Sequence, residues 1–121
     1  MKAAAVGLAM VALLSACGGG GSGSNQPAGS TQVTLSEYKF APSSLTVTHG
    51  KVIFWLVNSG NVAHDMAIQD SSNNRIATSD LISAGDSKEF DVNDIPAGTY
   101  KIFCTQQGHE ASGMKGTLTV T

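Results

Sequence analysis

The feature that most constrains this chain is a two-residue rhythm of apolar side chains running from residue 31 to residue 121. Val33 and Leu35 alternate with Thr34 and Ser36, and Leu45 and Val47 with Thr46 and Thr48. His64, Met66 and Ile68 share one phase, as do Tyr100, Ile102 and Cys104, and then Leu118 and Val120. A period of two is the period of a strand, not of a helix. Val52-Ile53-Phe54-Trp55-Leu56-Val57 is apolar throughout and of strand length, which predicts a strand buried on both faces. Turn residues separate the runs at Ala41-Pro42-Ser43, His49-Gly50, Asn58-Ser59-Gly60-Asn61, Ser71-Ser72-Asn73-Asn74, Ala84-Gly85-Asp86 and Ile95-Pro96-Ala97-Gly98. The pattern predicts an all-β, single-domain antiparallel sandwich of Greek-key type with seven to eight strands. Residues 69–84 are the least regular stretch and have room for a short helical turn.

Ahead of this domain the chain reads as an address. Met1-Lys2 is a minimal positive start, and Ala3 to Leu14 carries no charge. That run suits a secretory signal and falls short of the roughly 20 residues a spanning helix needs. Leu14-Ser15-Ala16-Cys17 resembles the bacterial lipobox, which implies removal of residues 1–16 and lipid attachment to Cys17. Residues 17–30 are a Gly/Ser-rich tether with a typical end-to-end distance of about 20 Å. The expected location is therefore extracytoplasmic, in the periplasm or at the cell surface, held to a membrane by lipid. After residue 16 six lysines and arginines face nine acids, for a net charge of −3. A nucleic-acid partner is not expected from such a balance.

Two cysteines in an exported chain invite a disulfide. With Cys17 acylated, Cys104 has no partner and needs another use. Cys104, His109 and Met114 follow at intervals of five along one inter-strand loop, offering a thiolate, an imidazole and a thioether. This soft set suits copper and not magnesium or calcium. Cys104 lies at the inward-facing end of its strand, and His64 opens another strand. Where such ends meet at one pole, His64, Cys104 and His109 form a trigonal set with Met114 as a long axial ligand, the blue-copper arrangement.

The stretch from Tyr100 to Val120 resembles the C-terminal copper loop of the cupredoxin family. Phe40-Ala41-Pro42-Ser43-Ser44-Leu45-Thr46-Val47, Gly50, Val52-Ile53-Phe54-Trp55, Asn61 and His64 are similar to the first half of the same fold. The loop spacing is most like auracyanin and rusticyanin, longer before the histidine than in plastocyanin and longer after it than in azurin. The resemblance implies a cupredoxin domain over 31–121 and one type 1 copper per chain. It also implies one-electron exchange between redox proteins through the exposed edge of His109. Asp65 stands where many cupredoxins have Asn. It can accept bonds from loop amides but, when ionised, cannot donate, and its charge would favour Cu(II). Gln106 and Gln107 replace a proline common in that loop, freeing a backbone N–H for the thiolate.

Three other uses of the same residues are distinct in chemistry. One is a lipoprotein that stores or delivers copper. A second is a Cys104–His109 hydrolase, for which no orienting acid or helix N-terminus is visible. Zinc also suits imidazole and thiolate and could occupy the site in vitro. Met66 and Trp55 read as core and His49 as an exposed turn residue. The chain is expected to be a monomer and not an enzyme.

Overall fold

The structure is a computed structural model and describes residues 25–121. Nine strands follow in order: β1 (Thr31–Ser36), β2 (Lys39–Ala41), β3 (Ser44–Val47), β4 (Gly50–Asn58), β5 (Ala67–Gln69), β6 (Arg75–Thr78), β7 (Ser87–Ile95), β8 (Gly98–Phe103) and β9 (Lys115–Val120). They form a four-stranded sheet, β2-β1-β4-β7, and a five-stranded sheet, β3-β9-β8-β5-β6. The inner faces share one core, with Val33, Leu35, Phe54, Leu56, Ile68, Ile102 and Leu118 fully buried. Phe54 and Phe90 pack ring to ring across β4 and β7 with centroids 5.8 Å apart.

The all-β sandwich matches the period-two reading, with three corrections. Among the described residues there are nine strands, not seven or eight: the short β2 runs into the turn read at Ala41-Pro42-Ser43, and β6 lies in the stretch read as irregular. The sheets are mixed: β1 pairs with β4 and β3 with β9 in parallel. Parallel neighbours need a crossover, and the chain supplies one by passing through β3 in the second sheet before returning as β4. Alternation reports which face a residue takes and not the direction of its neighbour. Residues 69–84 hold no helix among the described residues. Asp70 Oδ1 accepts the amides of Ser72 and Asn74, each at 2.9 Å, and the resulting turn leads into β6.

In β4, Val52, Phe54 and Leu56 face the core, while on the other face Trp55 is buried and Ile53 and Val57 are half-buried. Gly116 is required by a close approach: a Cβ there would strike the carbonyl oxygen of Ser43. The contact brings Thr117 N–H to that oxygen at 2.8 Å and docks the edge strand β3 beside β9.

Because β1 and β4 are parallel, both end at one pole. The Ser59 amide there donates to Leu35 O at 2.9 Å, and the side chain of Asn58 donates to Val62 O and Ile82 O at 2.9 and 2.8 Å. β8 ends beside the start of β5, with Phe103 opposite Ala67. The segments 58–66 and 104–114 therefore converge at that pole.

Candidate metal centre

His64 is held from its backbone. It forms an isolated bridge with Ile82, its N–H donating to Ile82 O at 3.1 Å and its carbonyl accepting from Ile82 N at 2.8 Å. Its ring is completely buried. Cys104 follows the last residue of β8 and is a free, buried thiol. The loop beyond it folds back on itself. His109 N–H donates to Gln106 O at 3.0 Å, Met114 N–H to His109 O at 3.0 Å and Cys104 N–H to Met114 O at 3.1 Å. Met114, fully buried, is thus tied by its backbone to both Cys104 and His109.

The four residues singled out in the sequence meet at one pole, three of them through their donor atoms. His64 Nδ1 lies 3.2 Å from His109 Nδ1. Cys104 Sγ lies 3.5 Å from His109 Nδ1 and 4.0 Å from His64 Nδ1. Bonds of about 2.0–2.3 Å, spread at 120° around one ion, separate their donor atoms by roughly 3.5–3.7 Å. The triangle of two imidazole nitrogens and one sulfur, with sides of 3.2 to 4.0 Å, brackets that size, so the donor set could close on a single first-row metal ion.

Electrostatics favour the same use. Glu37 Oε1 accepts from His64 Nε2 at 3.1 Å and from the amides of Asn61 and Val62 at 2.8 and 3.0 Å. Its pKa is held down at about 2, chiefly by the Asn61 amide; desolvation opposes this, and the Val62 amide and His64 add to it. An ionised carboxylate only accepts, so Nε2 of His64 carries the hydrogen of that bond, and in the neutral ring Nδ1 keeps its lone pair. Burial pushes the Cys104 thiol up, against hydrogen bonds from the backbone amides of Asp65 and Gln106. A thiol so shifted is poorly suited to the hydrolase reading, which needs a lowered pKa.

A family model described as a cupredoxin-like domain matches residues 4–120. The chain belongs to the cupredoxin-like family. Plastocyanin of Scenedesmus fuscus is 39% identical over 89 residues, covering 67% of this cupredoxin and 85% of that protein. Auracyanin-B of Chloroflexus aurantiacus is 44% identical over 48 residues, 40% of this chain and 20% of the other. Among solved structures, auracyanin B superposes with a TM-score of 0.70 at 26% identity, covering 81% of this chain and 92% of that one.

Asp65, where this cupredoxin departs from the commoner Asn, accepts from the loop as its chemistry requires. Oδ1 takes the Thr105 amide at 2.7 Å and Oδ2 takes the Thr105 hydroxyl. Three neighbours of the centre had no signal in the sequence. Glu37 and Tyr38 fall between two strands and look like turn residues; the Tyr38 ring packs edge-on to His109 with centroids 5.0 Å apart. Asn58 belonged to a turn cluster, yet it is buried and its side chain makes three hydrogen bonds to the 60–62 turn and Ile82. His49 is an exposed turn residue and Met66 is core, as read.

Proposed function

We propose that this cupredoxin carries single electrons on one type 1 copper held by His64 Nδ1, His109 Nδ1 and Cys104 Sγ, with Met114 as the weak axial ligand. The observation that carries the reading is the metal-sized triangle of those three donor atoms. Copper in such a soft, trigonal set cycles between Cu(II) and Cu(I) and so accepts and returns one electron. The chain's part is preorganisation. His64, Cys104 and Met114 are buried, and the backbone bonds among Cys104, His109 and Met114 hold the loop in place, so little need move when charge changes. Cys104 gives up its proton on metal binding, because the thiolate is the ligand form.

His109 is half-buried and the most accessible of the four, so its ring is the proposed route to donor and acceptor proteins. Tyr38, Val62 and Leu81 are exposed and lie on segments bonded to or beside the site, giving an apolar surround for docking. Copper storage or delivery is less well supported, since release would have to expose three ligands that are at most 1% accessible. Residues 1–16 as signal, Cys17 as lipid anchor and 17–30 as tether place a monomeric carrier at an extracytoplasmic membrane face. Support for that placement is in the sequence alone, and Cys17 lies outside the described residues.

The test is the absorption and EPR spectrum of the copper-loaded protein through an oxidation–reduction cycle. An intense visible thiolate-to-Cu(II) band that bleaches and returns is expected. A protein that stays colourless on oxidation, or does not cycle, refutes the carrier reading.

A further inference from the structure

One carboxylate oxygen beside the centre collects three donors. Glu37 Oε1 takes the amides of Asn61 and Val62 and the Nε2–H of His64, at 2.8, 3.0 and 3.1 Å. Glu37 follows β1, and the residues it binds follow β4, so the contact also links two strand ends. The seat is shaped for it. A Cβ on Gly60 would lie 2.5 Å from Oε1 and 2.9 Å from Cδ and Oε2, so the carboxylate occupies the space that glycine leaves open. The two amides are provided by a turn that Asn58 secures from below through Val62 O, Ile82 O and the Gly60 amide.

We infer that Glu37 is a positioning residue for the metal centre, fixing His64 as its Nε2–H tautomer and aiming the Nδ1 lone pair at Cys104 Sγ and His109 Nδ1. An imidazole has two nitrogens, and only one arrangement of its hydrogen leaves Nδ1 free to bind a metal. The two backbone amides orient the carboxylate, and the carboxylate orients the ring. A carboxylate in this position also makes the imidazole more basic and adds negative charge near the ion. Both effects favour Cu(II) over Cu(I). The inference rests on His64 Nδ1 being a copper ligand, but the tautomer itself exists without the metal.

The experiment uses the full-length protein with three substitutions. Glu37→Gln keeps the shape and the acceptor but not the charge. Glu37→Ala removes both. Gly60→Ala displaces the carboxylate while leaving residue 37 unchanged; the clashing atoms are the mobile end of a side chain, so the fold survives. Ring nitrogens of His64 are read by 15N–1H NMR at pH 8, above the ordinary histidine value of about 6.5, in the metal-free and Cu(I) proteins. The Cu(II)/Cu(I) potential is read by voltammetry. Wild type is expected to show a slowly exchanging Nε2–H on His64. Glu37→Ala and Gly60→Ala should speed that exchange by about tenfold or more, the loss of one part-buried hydrogen bond to a charged group. Glu37→Gln should keep the Nε2–H and raise the potential. An unaltered, protected Nε2–H in Gly60→Ala or in a folded Glu37→Ala protein overturns the inference, as does a Glu37→Gln protein with the wild-type potential. The metal-free spectra need no copper, so failure of the ligand assignment, seen as a missing visible band, is distinguished from failure of the Glu37 role.

Discussion

Asp65 grips Thr105 with both carboxylate oxygens, one on its backbone amide at 2.7 Å and the other on its hydroxyl. Each partner is the immediate neighbour of a proposed ligand, His64 on one side and Cys104 on the other. The pair therefore closes the gap between two segments 40 residues apart and sets the distance between an imidazole and a thiol. It also leaves a carboxylate beside the proposed copper site. Asp65→Asn keeps an acceptor for the Thr105 amide and removes that charge. The copper-loaded variant should keep its visible band and show a raised potential. A potential equal to or below wild type would mean that the charge at Asp65 is not felt at the centre.

Cys104→Ser should abolish the intense visible band while leaving the fold intact. The hydroxyl is smaller than the thiol and sits at the end of β8, where the strands around it are already paired through Phe103 and Lys115. Circular dichroism of the metal-free variant should overlay on wild type. A variant that still turns blue with copper would remove Cys104 from the ligand set.

Met114→Leu should retain copper and raise the potential, because the weak thioether donor proposed for Cu(II) would be lost. The exchange conserves volume at a fully buried site, so its stability cost should stay below about 1.5 kcal/mol. An unchanged potential would assign Met114 to packing alone.

The proposed ligand residues stood out because their chemistry is written in residue type and spacing. Cys104, His109 and Met114 sit in one loop, and His64 could be matched to them by the phase of its strand. The sandwich was legible for the same reason, since alternation exposes which side chains face inward. Strand direction was not, and so the parallel β1–β4 and β3–β9 pairs went unseen. Glu37 and Asn58 were missed on a different ground. Each works through contacts across 2 to 27 residues, and nothing in the identity of a Glu or an Asn near a turn distinguishes a freely solvated side chain from a brace.

Asn58→Ala should destabilise the metal-free protein by about 1–3 kcal/mol, because it removes one donor from each of two carbonyls at the pole, leaving Val62 O unpaired while Ile82 O keeps the amide of His64. One of these belongs to Ile82, the residue that bridges His64, so copper affinity should fall together with stability. Chemical denaturation and a copper titration on the same sample would check both. Full stability with weakened copper binding, or the reverse, would uncouple the brace from the site.

The far edge of the first sheet offers a pH-dependent prediction independent of copper. Glu89 and Asp91 lie two residues apart on β7 and so share a face, where Lys51 pairs with Asp91 at 3.6 Å. The pKa of Glu89 is raised above its ordinary value of 4.5, first by a hydrogen bond with Asp91 that it makes only while protonated, then by desolvation and by the charge of Asp91, with Lys51 opposing. A carboxyl with a raised folded pKa favours the fold when protonated. That contribution is complete below the unfolded value and is lost as pH climbs through the folded one. At neutral pH the ionised Glu89 has lost that contribution. Glu89→Gln should raise the melting temperature at pH 7 relative to wild type, and the advantage should shrink as pH is lowered toward 4.5 and below. Thermal unfolding of the two metal-free proteins at pH 7 and pH 4 would decide it. A gain of equal size at both pH values would show that the substitution acts through packing or strand propensity and not through the charge pair.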